Sequence, residues 1–498
     1  MSARVRLVLI LAFAASIRLF LTLRGGQYFD WDEYRYGFST LMLARLRDHD
    51  VGGALNILFR YPEHPGFKII GVIVAMCHSL AARGARFPIS DMRYASNEWV
   101  PAFLFSLSAV CSAGLVYLIA LRSRASRDES VFAALLMSAS TTIAMYSQHL
   151  FPYDVSMAIF LWAIYIAMGD RPGVATCVAS GVLAGVAFST YEGYWLLVLT
   201  VVATLLAWQP PRPRAMLQRM LLFGAGFSSV LAALIAASAS RGLPLLRATF
   251  RFAQSVTHGE FSEGWRLPWR YFWHAEHAFL LLVLAGAAAA LVYRTRRGLF
   301  WLSISAMLYG GLVAGSTLFH QFVVYDRLGR QLWPFLCLAA AAGYGAARPA
   351  WITARRGALI YAGITALFLF NARPLLMQRY PREIVADVVA QYGTKDLQLD
   401  TNLMNTVDST SAMFLPLEST ASVAPSLPPK RYVLLNARDL WFEGATGVKD
   451  VPSGRVIARW PHPRQWRALQ YHGYTADQRD FIRSTDISVR LIDTGQQP

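Results

Sequence analysis

RVRLVLILAFAASIRLFLTLRGGQYFDWDEYRY, residues 4–36, decides how the rest of the chain is read. Its first part, 5–23, is apolar except for Arg6, Ser16, Arg18 and Thr22. A helix needs about 20 such residues to cross ~30 Å of hydrocarbon. The run begins at the N-terminus and has no small-residue cleavage site before the polar loop, so it reads as a retained first span. The second part sets Asp30, Asp32 and Glu33 among Tyr28, Phe29, Trp31, Tyr34 and Tyr36. Carboxylates are thus concentrated where the chain leaves the membrane.

Further apolar runs follow at 100–121, 221–239, 299–318 and 331–347. The 498 residues are 55% hydrophobic and only 15% charged, against roughly 25% charged in a soluble domain. We read eleven full spans, near 4–23, 98–121, 130–149, 153–168, 174–190, 194–208, 220–239, 278–293, 299–318, 331–347 and 357–371. With the N-terminus inside, the cytoplasmic loops carry Arg122, Arg124 and Arg127; Arg171; Arg212, Arg214 and Arg219; Arg294, Arg296 and Arg297; and Arg348, Arg355 and Arg356. That is the positive-inside pattern. It also accounts for much of the net charge of +17, since the 15 Lys/Arg and 13 Asp/Glu after residue 372 nearly cancel. The basic excess therefore reports topology, and no nucleic-acid partner is expected.

The segment 67–82 is short and contains Lys68 and His78. Counting it as a span would reverse every later loop, so it is placed as an interfacial or re-entrant helix on the outer side. Residues 1–371 form the expected membrane domain. Residues 372–498 read as a small extracytoplasmic α/β domain, with a helix over 381–392 and strands near 431–436, 454–460, 466–471 and 487–492.

Several groups can carry chemistry. The cluster Asp30, Asp32, Glu33 can deprotonate a hydroxyl or bind a divalent cation; it can equally be a solvated loop anchored by interfacial aromatic rings. Glu63, His64 and Lys68 open the interfacial segment at the depth of a lipid phosphate, with a snorkelling lysine as the bland alternative. Asp154 sits at the outer end of a span, where an ionisable side chain points to function and a helix N-terminus also favours an acid. Arg327 and Arg330, on the outer side against the positive-inside trend, can clamp a phosphate or pair with Asp326. Arg18 is open between phosphate contact and snorkelling. In the large outer loop, His274 and His277 with Glu63 are possible metal ligands, although the spacing of His274, Glu276 and His277 does not match a zincin helix.

These landmarks, in this order and on this side, resemble the C-type glycosyltransferase superfamily, in particular its protein O-mannosyltransferase and lipid A aminoarabinose transferase group. Arg18 precedes the acid pair Asp32-Glu33 with Tyr34 after it. His64-Pro65-Gly66 opens an outer helix. Asp154 starts a later span, and Arg330 precedes a span containing Pro334. Gly66 replaces the usual second proline, Gln331 stands where Tyr is common, and Glu192 sits where relatives often carry Lys, which suggests a substrate-specific role. The resemblance implies a polyprenyl-phosphate sugar donor and an acceptor on a lipid, glycan or protein. Asp32 would be the base, with Glu33 as helper or metal contact and Asp154 orienting the acceptor or sharing the base role. Arg330, Arg327 and Lys68 would hold the phosphate, with His64 near it, in a bacterial inner membrane with the site facing the periplasm. A divalent metal ion is left open.

Two other classes compete. A lipid-sugar flippase would place its ionisable groups near the midplane and show paired halves; here the acids cluster at one surface and no internal repeat is seen. A polysaccharide polymerase or ligase with a pyrophosphate-linked donor would lean on Arg and His without a leading acid pair.

Overall fold

Apolar runs of this length have no water to satisfy their peptide groups, so they fold as helices. The computed structural model describes residues 2–24, 34–82, 99–147, 149–169, 173–208, 213–247, 249, 264–321, 326–347, 354–377, 379, 381–393, 396–399, 431–436, 453–461 and 488–495. The chain begins with α1 (Ala3–Leu23), α2 (Tyr34–Arg47), α3 (Val51–Arg60), α4 (Pro65–Ala82), α5 (Trp99–Arg122) and α6 (Arg127–Ser138). It continues through α7 (Thr141–Ala144), α8 (Tyr153–Ala167), α9 (Val174–Thr190), α10 (Leu196–Ala207) and α11 (Pro213–Ala239). Then come α12 (Leu267–Glu276), α13 (Ala278–Val292), α14 (Arg296–Val313), α15 (Trp333–Ala347), α16 (Ala354–Asn371), α17 (Arg373–Met377) and α18 (Pro381–Tyr392).

Among the described residues, α1, α5, α11 and α14 with its π-helical extension to Leu318 are long and apolar enough to cross a membrane. Helices α12 and α13 together make a fifth such element, bent by 118°. Most of the other apolar helices, α8 and α9 among them, are shorter than 18 residues. The expected span over 130–149 is not one helix. Helix α6 stops at Ser138, and Ser140 Oγ accepts from Ile143 N to cap the four-residue α7. The run Ser138, Ser140, Thr141, Thr142 offers side-chain oxygens that compete with the helical ladder. The segment expected as an interfacial helix forms α4, which packs on α2, α5 and α9.

The middle of the bundle is α15, buried from Trp333 to Gly343. Its approach to α13 is backbone to backbone: a Cβ on Gly343 would lie 2.5 Å from Ala290 N, and one on Gly286 2.9 Å from Ala340 Cβ. Close approach at small residues is how membrane helices gain packing without a hydrophobic drive between them.

One end of the bundle is tied by ion pairs. Arg6 pairs with Asp128, and Arg297 reaches Glu129 at 2.8 Å and the Arg124 carbonyl at 2.7 Å. The N-termini of α1, α6 and α14 therefore share that end. At the α12–α13 break, the buried Glu276 carboxylate accepts from Ser140 Oγ (2.6 Å), Thr141 N (3.1 Å) and Thr142 N (2.6 Å). Asn371 Nδ2 donates to the Glu276 carbonyl at 2.6 Å, so three distant segments meet there.

Beyond the membrane helices, β1 (Leu397–Leu399), β2 (Tyr432–Asn436), β3 (Arg455–Pro461) and β4 (Ser488–Asp493) form a sheet of order β1-β2-β4-β3. The β1–β2 pair is parallel and the other pairs antiparallel. Ile384, Val385 and Val388 of α18 pack on Leu397, Leu434, Val489 and Leu491. The strand expected near 466–471 lies outside the described residues, and β1 was not anticipated.

Candidate active site

Asp154 stands in the first turn of α8, where the unpaired N–H groups of a helix N-terminus favour a carboxylate. Its Oδ1 accepts from Arg330 Nη2 at 2.5 Å, with side chains 11% and 1% exposed. Arg330 comes from the 3-10 turn Asp326–Leu332 that leads into α15. Arg18, equally buried in α1, donates from Nη1 to the Ala14 carbonyl at 3.0 Å and lies within electrostatic reach of both Asp154 and Arg330. Three groups separated by more than a hundred residues each thus converge at one end of the bundle.

Among the described residues, two guanidiniums face one carboxylate. Burying a charge without full compensation costs several kcal/mol, and here the imbalance is visible atom by atom. Arg330 Nε and Nη1 and Arg18 Nε have no hydrogen-bond partner among the described residues. Such a set suits an anion with several acceptor oxygens, and the planar guanidinium fork matches phosphate.

Aromatic rings line the same region. The Arg330 guanidinium lies 4.4 Å from the Tyr146 ring centre, a cation–π contact that leaves its edge nitrogens available. Tyr146 meets Tyr153 at 5.6 Å, Tyr153 meets Tyr191 at 4.7 Å, and Tyr191 meets Tyr194 at 4.8 Å. At the far side of this wall the His64 ring lies 5.1 Å from Tyr191. His64 Nδ1 pairs with the Glu192 carboxylate, which also accepts from the His64 backbone N–H at 3.2 Å.

The structure thus brings together Arg18, Asp154 and Arg330, and separately His64 and Glu192. Lys68, one turn along α4, is fully buried and donates to the carbonyls of Leu58 (2.8 Å) and Tyr61 at the end of α3. Burial pushes its ammonium down to about 7, against the opposing pull of Glu63 and Glu192. Glu63 sits in the α3–α4 turn, His274 in α12 and His277 at the α12–α13 break. Among the described residues no three His, Cys, Asp or Glu side chains gather to hold a metal ion. The set Glu63, His274 and His277 is therefore not assembled there. Asp32 and Glu33 lie outside the described residues, as do the side chains of Tyr34 and Arg327.

Sequence reasoning missed Tyr146, the inward-facing position of Tyr194 and the structural role of Glu276. Tyr146 and Tyr194 look like ordinary interfacial aromatic residues in the sequence, and only the fold faces them inward. Glu276 was legible as an acid beside a span, but the partners of its carboxylate are 134–136 residues away.

No protein-family description and no curated protein matches this chain. Its fold is that of solved structures. It resembles the crystal structure of ArnT from Cupriavidus metallidurans bound to undecaprenyl phosphate, at TM-score 0.51 and 14% identity over 99% of both chains. It resembles the apo structure of the same protein at TM-score 0.53 and 14% identity over the full length of both.

Proposed function

We propose that this chain is a membrane glycosyltransferase that moves a sugar from a polyprenyl-phosphate carrier to a hydroxyl of a lipid, glycan or protein acceptor on the non-cytoplasmic side. The observation that carries this reading is the buried Arg18–Asp154–Arg330 cluster, with two guanidiniums to one carboxylate and guanidinium N–H groups unmatched among the described residues. The fold shared with a protein crystallised with undecaprenyl phosphate supports a lipid-phosphate ligand.

The chemistry follows from the charges. A polyprenyl-phosphate sugar is a phosphodiester with one negative charge. When the bond from the anomeric carbon to the phosphate oxygen breaks, the electron pair stays on that oxygen and a second charge develops. Arg330 and Arg18 supply N–H donors for that charge, in surroundings where fixed donors outperform water. The acceptor oxygen attacks the anomeric carbon from the opposite face, which inverts its configuration, and its proton passes to a carboxylate. Asp32 is assigned as that base, with Glu33 beside it. Asp154, held by Arg330, orients the acceptor. The tyrosine wall offers flat apolar faces with hydroxyls at their edges, suited to a sugar ring or the first isoprene unit.

The test uses purified protein in detergent and a panel of radiolabelled polyprenyl-phosphate sugars, with membrane extract as acceptor, with and without chelator. One donor should turn over, and Asp32→Asn should lower its rate by ~10²–10⁴-fold. If folded wild-type protein turns over no donor, the polyprenyl-phosphate transferase reading fails, leaving a polymerase or ligase with a pyrophosphate-linked donor or a protein with no transferase activity, and the lipid-sugar flippase moves to the front. Near-wild-type turnover in Asp32→Asn removes Asp32 as the base.

A further inference from the structure

Glu276 is 0% exposed inside the helical bundle and makes no ion pair among the described residues. An acid buried in a membrane chain marks a functional position by default, since an apolar side chain would fill the space at less cost. The hydrogen bonds to its carboxylate all come from one short stretch. Oε1 accepts from Ser140 Oγ and Thr142 N, each at 2.6 Å, and Oε2 from Thr141 N at 3.1 Å. The same Ser140 Oγ accepts from Ile143 N at 3.3 Å and so starts α7. Two residues past the end of α7 stands Tyr146, whose ring centre lies 4.4 Å from the Arg330 guanidinium.

Glu276 is also the last residue of α12, and α12 rests on the turn that carries Arg330. A Cβ on Gly329 would lie 3.1 Å from Pro268 Cα, so the two backbones touch at the start of α12. Further along, Phe272 meets Trp333, the first residue of α15, at 5.1 Å. Tyr271, fully buried between these contacts, lies within electrostatic reach of Tyr146, Arg330 and Tyr194. Helix α12 therefore joins the segment that carries Tyr146 to the turn that carries Arg330. The 118° bend ends it where Glu276 bonds to the α7 segment. Apolar packing holds such elements together but specifies their sliding weakly, whereas directed bonds to one buried carboxylate select a single register.

We propose that Glu276 is a positioning residue for the transfer reaction: it fixes α12 to the α7 segment and so holds the Tyr146 ring on Arg330. This rests on the transferase reading above. A ring against a guanidinium face takes none of its N–H groups, and Nε and Nη1 of Arg330 have no partner among the described residues. A shift of the α7 segment would let that guanidinium tilt. The donor diester brings one negative charge and the departing monoester two, so a tilted Arg330 loses more in the transition state than in the bound donor. The loss then falls on kcat more than on KM.

The experiment is a double-mutant cycle on donor turnover by the full-length protein in detergent: wild type, Glu276→Gln, Tyr146→Leu and the double variant. Each is assayed at a temperature where its melting curve shows it folded. Glu276→Gln should lower kcat by about tenfold, with donor KM changed less than about threefold. Tyr146→Leu should cost about tenfold or more. Because Glu276 acts through Tyr146, the double variant should be no slower than Tyr146→Leu alone. Losses that multiply in the double variant overturn the proposal, as do an effect confined to KM and an unchanged kcat in Glu276→Gln. Should Glu276→Gln fail to fold, Ser140→Ala takes its place in the cycle, keeping the carboxylate and removing one of its donors, with the same outcomes. Wild-type protein that turns over no donor sinks the transferase reading and this inference together; an active wild type with multiplying losses sinks only the role of Glu276.

Discussion

Arg330 is 1% exposed, yet two of its three nitrogens have no protein partner among the described residues. A chain selected for stability alone would fill that site with apolar side chains, since buried ion pairs are often replaceable without loss. The arrangement makes sense as stability given up for binding. Two outcomes are expected. Asp154→Ala, which leaves two buried guanidiniums without their carboxylate, should destabilise by about 3–5 kcal/mol, while Arg330→Met with Asp154→Leu should recover most of that melting temperature and have no turnover. Added polyprenyl phosphate should raise the melting temperature of wild type, since a ligand at ~100 times its Kd adds about 2.7 kcal/mol. It should do so far less for Arg330→Met. Equal shifts in both proteins would place the lipid phosphate elsewhere.

Between residues and fold stand the places where helices break. Helices α12 and α13 turn by 118° at His277, whose φ is 46°, and the Glu276 carboxylate holds that corner against the start of α7. Glutamine there keeps one acceptor but turns an amide N–H₂ toward backbone N–H donors, leaving buried groups unsatisfied at about 1–3 kcal/mol. Glu276→Gln should therefore lower the detergent melting temperature and expose the α7 segment to protease, whereas Gln at the exposed Asp387 should do neither. Protection unchanged in Glu276→Gln would mean that the corner is held by packing. The same break explains what the sequence did and did not disclose. Residues 381–392 were legible as a helix because their apolar positions recur at helical spacing, and α1 and α5 because their isolated polar residues are outnumbered by long apolar runs. The end of α6 at Ser138 was not, because hydropathy treats a serine-threonine run in apolar surroundings as tolerable span. The Ser140 cap that starts α7 is local, but the Glu276 carboxylate that holds this break comes from 134–136 residues away. For the site, Arg18, Asp154 and Arg330 stood out as charges in apolar company. The tyrosines between them did not, since an aromatic residue near a membrane surface has an ordinary explanation.

For the whole molecule, the distribution of arginine and the ion pairs at one end point to a single orientation. Arg6, Arg124 and Arg297 gather at the end defined by the Asp128 and Glu129 pairs, and Arg124 and Arg297 belong to the loops expected in the cytoplasm by the positive-inside pattern. The Arg18–Asp154–Arg330 cluster lies toward the opposite end of α1. Arg24, just past α1, grips both oxygens of Glu383 in α18, at 2.9 and 3.0 Å. The sheet that follows α18 is therefore tethered at the same end as the cluster. If that end faces away from the cytoplasm, α18 and the sheet that follows it do as well, since Arg24 ties α18 to that end of α1. Alkaline phosphatase fused after Pro498 should be active in intact cells and green fluorescent protein fused there dark, while fusions after Arg124 should behave the opposite way. Bright fluorescence at Pro498 would put the sheet and the charged cluster in the cytoplasm, and the donor would then have to be a lipid-linked sugar still on the inner leaflet.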